Sequence, residues 1–286
     1  MHPYRSVLYM PGSNARALEK ARSLDADALI LDLEDAVAPA EKPVARDLVC
    51  AAVKAGGFGA RRVLIRINGA DTEWGADDLA AAIAAAPHGI LVPKVNDAED
   101  VARAAAQLGR ADTGLWAMME TPRAILNAAA IAAAPGLHGL VLGTNDLVKD
   151  LGVTLGADRS QIATALSLCL LAARAHGLLC IDGVYNAFRD EDGLRAECLQ
   201  GRDMGFDGKT LVHPAQLAIA NAVFAPDPAQ MALAQRQIDA HAAALAAGTG
   251  VAVVDGKIVE NLHVATAKNL IARAEMIAKR AKDAQG

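Results

Sequence analysis

A (β/α)8 TIM barrel of the α/β class, followed by a C-terminal helical arm, is the architecture predicted by three features of the 286-residue chain. Eight short apolar runs recur through residues 6–214, each ending in polar residues. Stretches long enough for crossover helices separate them, several with helical apolar spacing, such as Asp97 to Leu108, Ile125 to Ala134 and Gln161 to His176. After Phe224 the pattern changes, where Ala225-Pro226-Asp227-Pro228 breaks the chain. The competing fold, a doubly wound sheet, usually has fewer strands and a glycine-rich phosphate loop after the first one. Pro11-Gly12-Ser13-Asn14 is no such GxGxxG loop. The reading is therefore a barrel domain over residues 1–224 and an arm over 225–286.

Each element has its own local reason. Ser6 to Met10 is an apolar strand stopped by Pro11-Gly12, and Ser13 or Asn14 is placed to cap a helix from Ala15 to Leu24. Ala28 to Leu33 is the second strand and runs into Glu34-Asp35. Arg62 to Asn68 is the third, after a helix and Gly56-Gly57, and Gly89 to Lys94 is the fourth. The fifth, Leu115 to Met119, ends abruptly in Glu120, and Pro122 suits the first turn of the helix that follows. Gly139 to Gly143 runs into Thr144-Asn145-Asp146. Leu178 to Val184 and Gly208 to Pro214 complete the eight. In the arm, an alanine-rich helix over Met231 to Ala247 precedes a hairpin over Val251 to Val259 with Asp255-Gly256 at its turn. A last amphipathic helix runs from about Val264 to Lys282.

Composition narrows the function. The chain is 53% apolar, carries a net charge of -5 and has no basic block, which argues against nucleic acid or an anionic membrane as partner. Aromatics make up 3%, too few for a platform on which bases stack. Four cysteines without CxxC spacing read as buried thiols of a reducing compartment. No segment offers about 18 consecutive apolar residues, so neither a signal peptide nor a membrane span is expected, and a cytoplasmic location is.

The strand ends carry the chemistry. They bring Asp32, Glu34, Asp35, Arg66, Asn68, Lys94, Glu120, Asn145, Asp146, Asp182 and His213 toward one mouth, where barrels of this kind keep their reacting groups. Glu120 and Asp146 end successive strands with no cysteine beside them, and hard oxygen donors with room for water suit Mg2+ better than zinc. Helix capping is the alternative role for such a pair. Arg66 interrupts an apolar strand, so its guanidinium should face the mouth and meet an anion, either a substrate carboxylate or Asp32, Glu34 or Asp35. Those three acids need nearby cations, for which Arg66, Lys94 and Lys42 are the candidates. His213, before Pro214, reads as an oriented supporting histidine. No serine lies in a GxSxG setting, so covalent catalysis has no support.

Several ordered motifs together resemble a known family. They are Arg5-Ser6 with Pro11-Gly12, Asp32-Leu33-Glu34-Asp35-Ala36-Val37, Arg66-Ile67-Asn68, Pro93-Lys94, Glu120-Thr121, Gly143-Thr144-Asn145-Asp146-Leu147, Gly208-Lys209 with His213-Pro214-Ala215-Gln216, and Asp255-Gly256-Lys257. The chain resembles, over nearly its whole length, the citrate lyase beta subunit and malyl-CoA lyase family of acyl-CoA-processing TIM barrels. That resemblance implies Mg2+ on Glu120 and Asp146, with Arg66 and Glu120 at the substrate and Arg66 on its carboxylate. It implies Arg16 and Lys20 toward the coenzyme A phosphates, and a trimer or hexamer whose C-terminal arm completes a neighbour's site.

One position departs from the family pattern. Where the lyases usually carry an aspartate in the arm, this chain has Glu260, which extends the acid by one methylene. In the lyases that acid exchanges a proton with the acetyl-CoA carbon; moved by about 1 Å, it could instead direct water at the thioester carbonyl. The runs around Trp116 to Glu120, Asp182 to Asp190 and Val259 to His263 look most like the (3S)-malyl-CoA thioesterases of the family. The expectation is thus Mg2+-dependent hydrolysis of (3S)-malyl-CoA to (S)-malate and coenzyme A with Glu260 as base, and the runner-up is instead a lyase acting on malyl-CoA or a relative. A non-catalytic subunit of an acyl-carrier lyase complex is the alternative of another class.

Overall fold

The structure, a computed structural model, describes residues 2–109, 112–156 and 158–283. It divides into two compact units, one over Tyr4–Phe224 and the other over residues 225–283 with residues 2–3. In the first, eight parallel strands close into a barrel in chain order: β1 (Ser6–Pro11), β2 (Ala28–Asp32), β3 (Arg62–Arg66), β4 (Gly89–Val92), β5 (Gly114–Met119), β6 (Leu137–Leu142), β7 (Leu179–Asp182) and β8 (Gly208–Leu211). Strand β1 pairs with both β2 and β8, which closes the ring. The helices of this unit are α1 (Ala15–Ala21), α2 (Lys42–Ala55), α3 (Gly75–Ala85), α4 (Ala98–Leu108), α5 (Pro122–Leu126), α6 (Ala128–Ala132), α7 (Thr144–Leu151), α8 (Ala163–Ala175), α9 (Glu191–Met204) and α10 (Leu217–Val223).

Strand periodicity splits the core into two shells. Val7, Ala28, Ile30, Leu64, Leu91, Trp116, Met118, Val141 and Ile181 point into the barrel. Their alternates, among them Leu8, Leu29, Leu31, Ile65, Ile90, Ala117 and Leu140, belong to the larger apolar cluster that also takes in helix residues such as Leu18, Val49 and Leu166. Trp116 fills the barrel floor because Gly89 and Gly139 flank it. A Cβ on either would lie 2.8 and 2.4 Å from the indole.

Local chemistry set most boundaries as expected. Asn14 caps α1 by accepting from the Ala17 N–H, and Asp97 opens α4 in a reciprocal capping box with Asp100. The helix expected over Ile125 to Ala134 is instead two short ones. Asn127 leaves helical geometry at φ -97° and ψ 9°, and its side-chain amide donates to the Asn96 carbonyl at 2.9 Å.

The second unit comprises α11 (Pro228–Ala246), the antiparallel pair β9 (Ala252–Val254) and β10 (Lys257–Val259), and α12 (Asn261–Asp283). Its hairpin turns through Asp255 (φ 49°) and Gly256 (φ 73°), two left-handed residues whose twist matches the strands they join. Helix α12 begins earlier than its apolar pattern suggests, because Glu260 N–H donates to His263 Nδ1 at 3.1 Å and His263 N–H to the Glu260 carbonyl at 3.0 Å. No helix among the described residues is long and apolar enough to cross a membrane, and the four cysteines are buried and free.

Candidate active site

The inward files of the barrel decide which polar residues reach its mouth. Ala28 and Ile30 lead to Asp32, Leu64 leads to Arg66, and Trp116 and Met118 lead to Glu120, two residues at a time. The register of β2 on β3 sets Asp32 beside Arg66. Asn145 and Asp146 arrive differently, in the first turn of α7 immediately after β6.

Arg66 is held almost entirely by acids. Its Nε and Nη2 donate to the two oxygens of Asp32 at 2.7 and 2.6 Å, a bidentate pair. Nη1 lies 2.8 Å from Glu34 and 3.3 Å from Asp35, and the guanidinium sits 5.0 Å from the centre of the Tyr9 ring. Asp32 also accepts from the backbone N–H groups of Glu34 and Ala36, so it shapes its own loop while aiming the arginine. Burial pushes the Glu34 carboxyl up to about 8 against the pull of Arg66. The intramolecular alternative for Arg66 is therefore realised, through all three acids.

Glu120 and Asp146 form a second group with Lys94. One Glu120 oxygen accepts from the Lys94 backbone N–H at 2.6 Å, and the other lies 3.6 Å from the Lys94 ammonium, which also hydrogen-bonds Asp146. Burial pushes the Glu120 carboxyl up to about 7, although Lys94 pulls it down. Burial acts the same way on the more open Asp146, but there the Lys94 hydrogen bond wins and the carboxyl stays below its usual range. Lys94 thus serves Glu120 and Asp146, not the acids after β2. Lys42, the other cation expected there, is buried and donates to the Leu33 and Glu34 carbonyls and to Asn68, because its helix sets it beneath that loop's backbone.

A cavity of about 310 Å³ opens between the two groups, with Tyr9, Asp32, Arg66, Met118, Glu120 and Asp146 in its walls. Asn145 stands at its rim in a reciprocal side-chain pair with Asn186. Asp32, Asp35 and Asp146, with Glu120 partly ionised and Glu34 largely protonated near neutral pH, here face two cations, Arg66 and Lys94, so the acids still outweigh the bases. An anionic substrate would be repelled unless a further positive charge were present. Among the described residues no group of three or more His, Cys, Asp or Glu is placed to hold an ion. Glu120 and Asp146 are thus two hard oxygen donors that leave coordination positions open. That set suits Mg2+, which keeps waters and takes substrate oxygens, better than zinc, which favours nitrogen and sulfur donors.

Other expected residues lie elsewhere. Asp182 is fully buried and bonded to Arg159 at 2.9 Å and Lys209 at 3.1 Å, with Glu197 2.6 Å from Lys209. It follows the inward Ile181 and so points out of the barrel toward the helices. His213 caps a short turn by accepting from the Ala215 N–H and stacks on Phe188 at 4.4 Å. Glu260 belongs to the second unit, exposed at the start of α12. The residue-type reading missed Tyr9, Met118, Val184 and Val212 in the cavity wall. For Tyr9 the signal was present, a lone hydroxyl in inward register with Val7; burial keeps that phenol protonated.

Residues 5–214 match the HpcH/HpaI aldolase/citrate lyase family, and the chain belongs to that family. Within it, the chain is 61% identical over 277 residues to a (3S)-malyl-CoA thioesterase of Cereibacter sphaeroides, covering 97% of this chain and 96% of that protein. It is 33% identical over 282 residues to the citrate lyase subunit beta of Escherichia coli, covering 95% and 93%. Among solved structures, the protein CitE from Mycobacterium tuberculosis in complex with magnesium, acetoacetate and coenzyme A matches with a TM-score of 0.78 at 30% identity, over 96% of this chain and 98% of that one.

Proposed function

We propose that this protein hydrolyses (3S)-malyl-CoA to (S)-malate and coenzyme A, with Mg2+ held by Glu120 and Asp146. The observation that carries the reading is the convergence of those two acids with Arg66 on one cavity, in a chain 61% identical to a (3S)-malyl-CoA thioesterase. When bound, the metal would supply Lewis acidity to a substrate oxygen. Arg66 takes the malyl carboxylate. Its contact to the exposed Asp35 is the longest of its acid contacts and the one a substrate anion displaces, while Asp32 keeps the guanidinium aimed. Met118, Leu142, Val184 and Val212 keep water away from the acyl chain.

The base is Glu260 of the partner subunit, in a trimer or hexamer of this cytoplasmic enzyme. It takes a proton from water as the hydroxyl adds to the thioester carbon, and returns that proton to the coenzyme A sulfur as the C–S bond breaks. The exposed apolar side chains Leu245, Val251, Val253, Ile258 and Leu262 of the arm support self-association. A second reading, retro-Claisen cleavage, is favoured by the relationship to citrate lyase subunit beta.

Product analysis of (3S)-malyl-CoA turnover, with glyoxylate trapped as it forms, separates the two. Malate and free coenzyme A without trapped glyoxylate is the expected result. Glyoxylate with acetyl-CoA would make the protein a lyase, and turnover unaffected by chelation would remove the metal from Glu120 and Asp146.

A further inference from the structure

Lys94 is built into the acid pair by both its backbone and its side chain. It holds φ 51°, a left-handed conformation that non-glycine residues seldom adopt, and in it the N–H and the ammonium both turn toward Glu120. The N–H fixes one Glu120 oxygen, while the ammonium lies between the other oxygen and Asp146. Glu120 is locked and the lysine is not: the Glu120 side chain is 1% exposed, whereas those of Asp146 and Lys94 are 27% and 38% exposed. A second cavity of about 330 Å³ adjoins it, with Lys94, Asp71, Asp100 and Arg103 among its walls; Asp100 is paired with Arg103, so the cavity offers the ammonium room and the carboxylate of Asp71. Arg66 is committed to Asp32, Glu34 and Asp35, which leaves Lys94 as the cation hydrogen-bonded to this pair.

We infer that Lys94 is the resident counter-ion of the metal-free protein, a positioning residue whose ammonium occupies the cation seat between Glu120 and Asp146 and must swing out for the divalent ion to enter. The backbone N–H keeps Glu120 aimed throughout, so the carboxylate does not follow the departing ammonium. Lys94 thereby lowers metal affinity and holds the empty site together. The inference rests on the reading of Glu120 and Asp146 as metal ligands.

Calorimetric titration of MgCl2 into chelator-treated protein tests it, with melting curves in EDTA alongside. Lys94→Met should bind Mg2+ about 2- to 5-fold more tightly than wild type, the size of a half-exposed ion pair no longer to be broken. It should also melt earlier in EDTA and gain more from added Mg2+. Lys94→Arg, which keeps the charge, should return affinity toward wild type; Lys94→Gln replaces Lys94→Met should the latter fail to fold. Equal or weaker Mg2+ binding by the folded uncharged variant overturns the role of Lys94 alone. Absence of Mg2+ binding by wild type overturns the metal assignment and this inference with it.

Discussion

Gly143 follows β6 with its Cα against Glu120, and adding a single methyl there is the sharpest test of the site. An alanine Cβ would lie 2.4 Å from the Glu120 Cβ, 2.6 Å from its Oε2 and 3.1 Å from the Met118 methyl. The backbone does not object, since φ is -94° and ψ 71°, so the effect of Gly143→Ala is steric. Carbon atoms settle at about 3.5–4.0 Å, so relief needs roughly 1 Å of movement. Glu120 cannot supply it freely, being 1% exposed and hydrogen-bonded to the Lys94 N–H at 2.6 Å. The overpacking should cost about 1–3 kcal/mol of stability. A displacement of about 1 Å in the acid should lower turnover by ~100-fold. Thiol release from malyl-CoA, Mg2+ calorimetry and urea unfolding read the three effects separately. A Gly143→Ala protein with wild-type turnover and wild-type Mg2+ affinity would refute the assignment of Glu120.

Two further outcomes follow from the buried charges. Lys209→Met leaves Asp182 and Glu197 short of a cation in a place closed to water, and should lower the unfolding free energy by about 3–5 kcal/mol in urea titrations; a loss below about 1 kcal/mol would mean that Arg159 alone neutralises both acids. Metal affinity should depend on pH, because burial pushes Glu120 up to about 7 and the proton must leave for an ion to bind. Below pH 7 the Mg2+ dissociation constant should rise by about tenfold per unit as Glu120 protonates, and above it should level off. An affinity constant between pH 5.5 and 8, measured by calorimetry, would contradict this.

What the sequence determined by itself was local. Apolar-rich stretches of five to seven residues, punctuated by Pro11, Gly89 and Pro122, marked eight strands. Asp97 marked the start of α4, and Asp255-Gly256 the hairpin turn. Those features depend on a few neighbouring residues, through steric limits on the backbone and short-range hydrogen bonds. Strand ends also gathered Asp32, Arg66, Glu120 and Asp146 into one group, since parallel strands of a barrel carry their C-terminal ends to one mouth. A count of inward parity, carried through Ile181, would have sent Asp182 away from the mouth. Only the tertiary structure decided which charges meet. Arg66 reaches Asp32 through the register between β2 and β3, and Lys94 reaches Glu120 and Asp146 from a left-handed residue that no composition betrays. Asn127 breaks its helix because Asn96, distant in sequence, offers a carbonyl. Ion pairing inside a barrel depends on closure, register and the water excluded by neighbouring strands, and these exist only once the chain has folded.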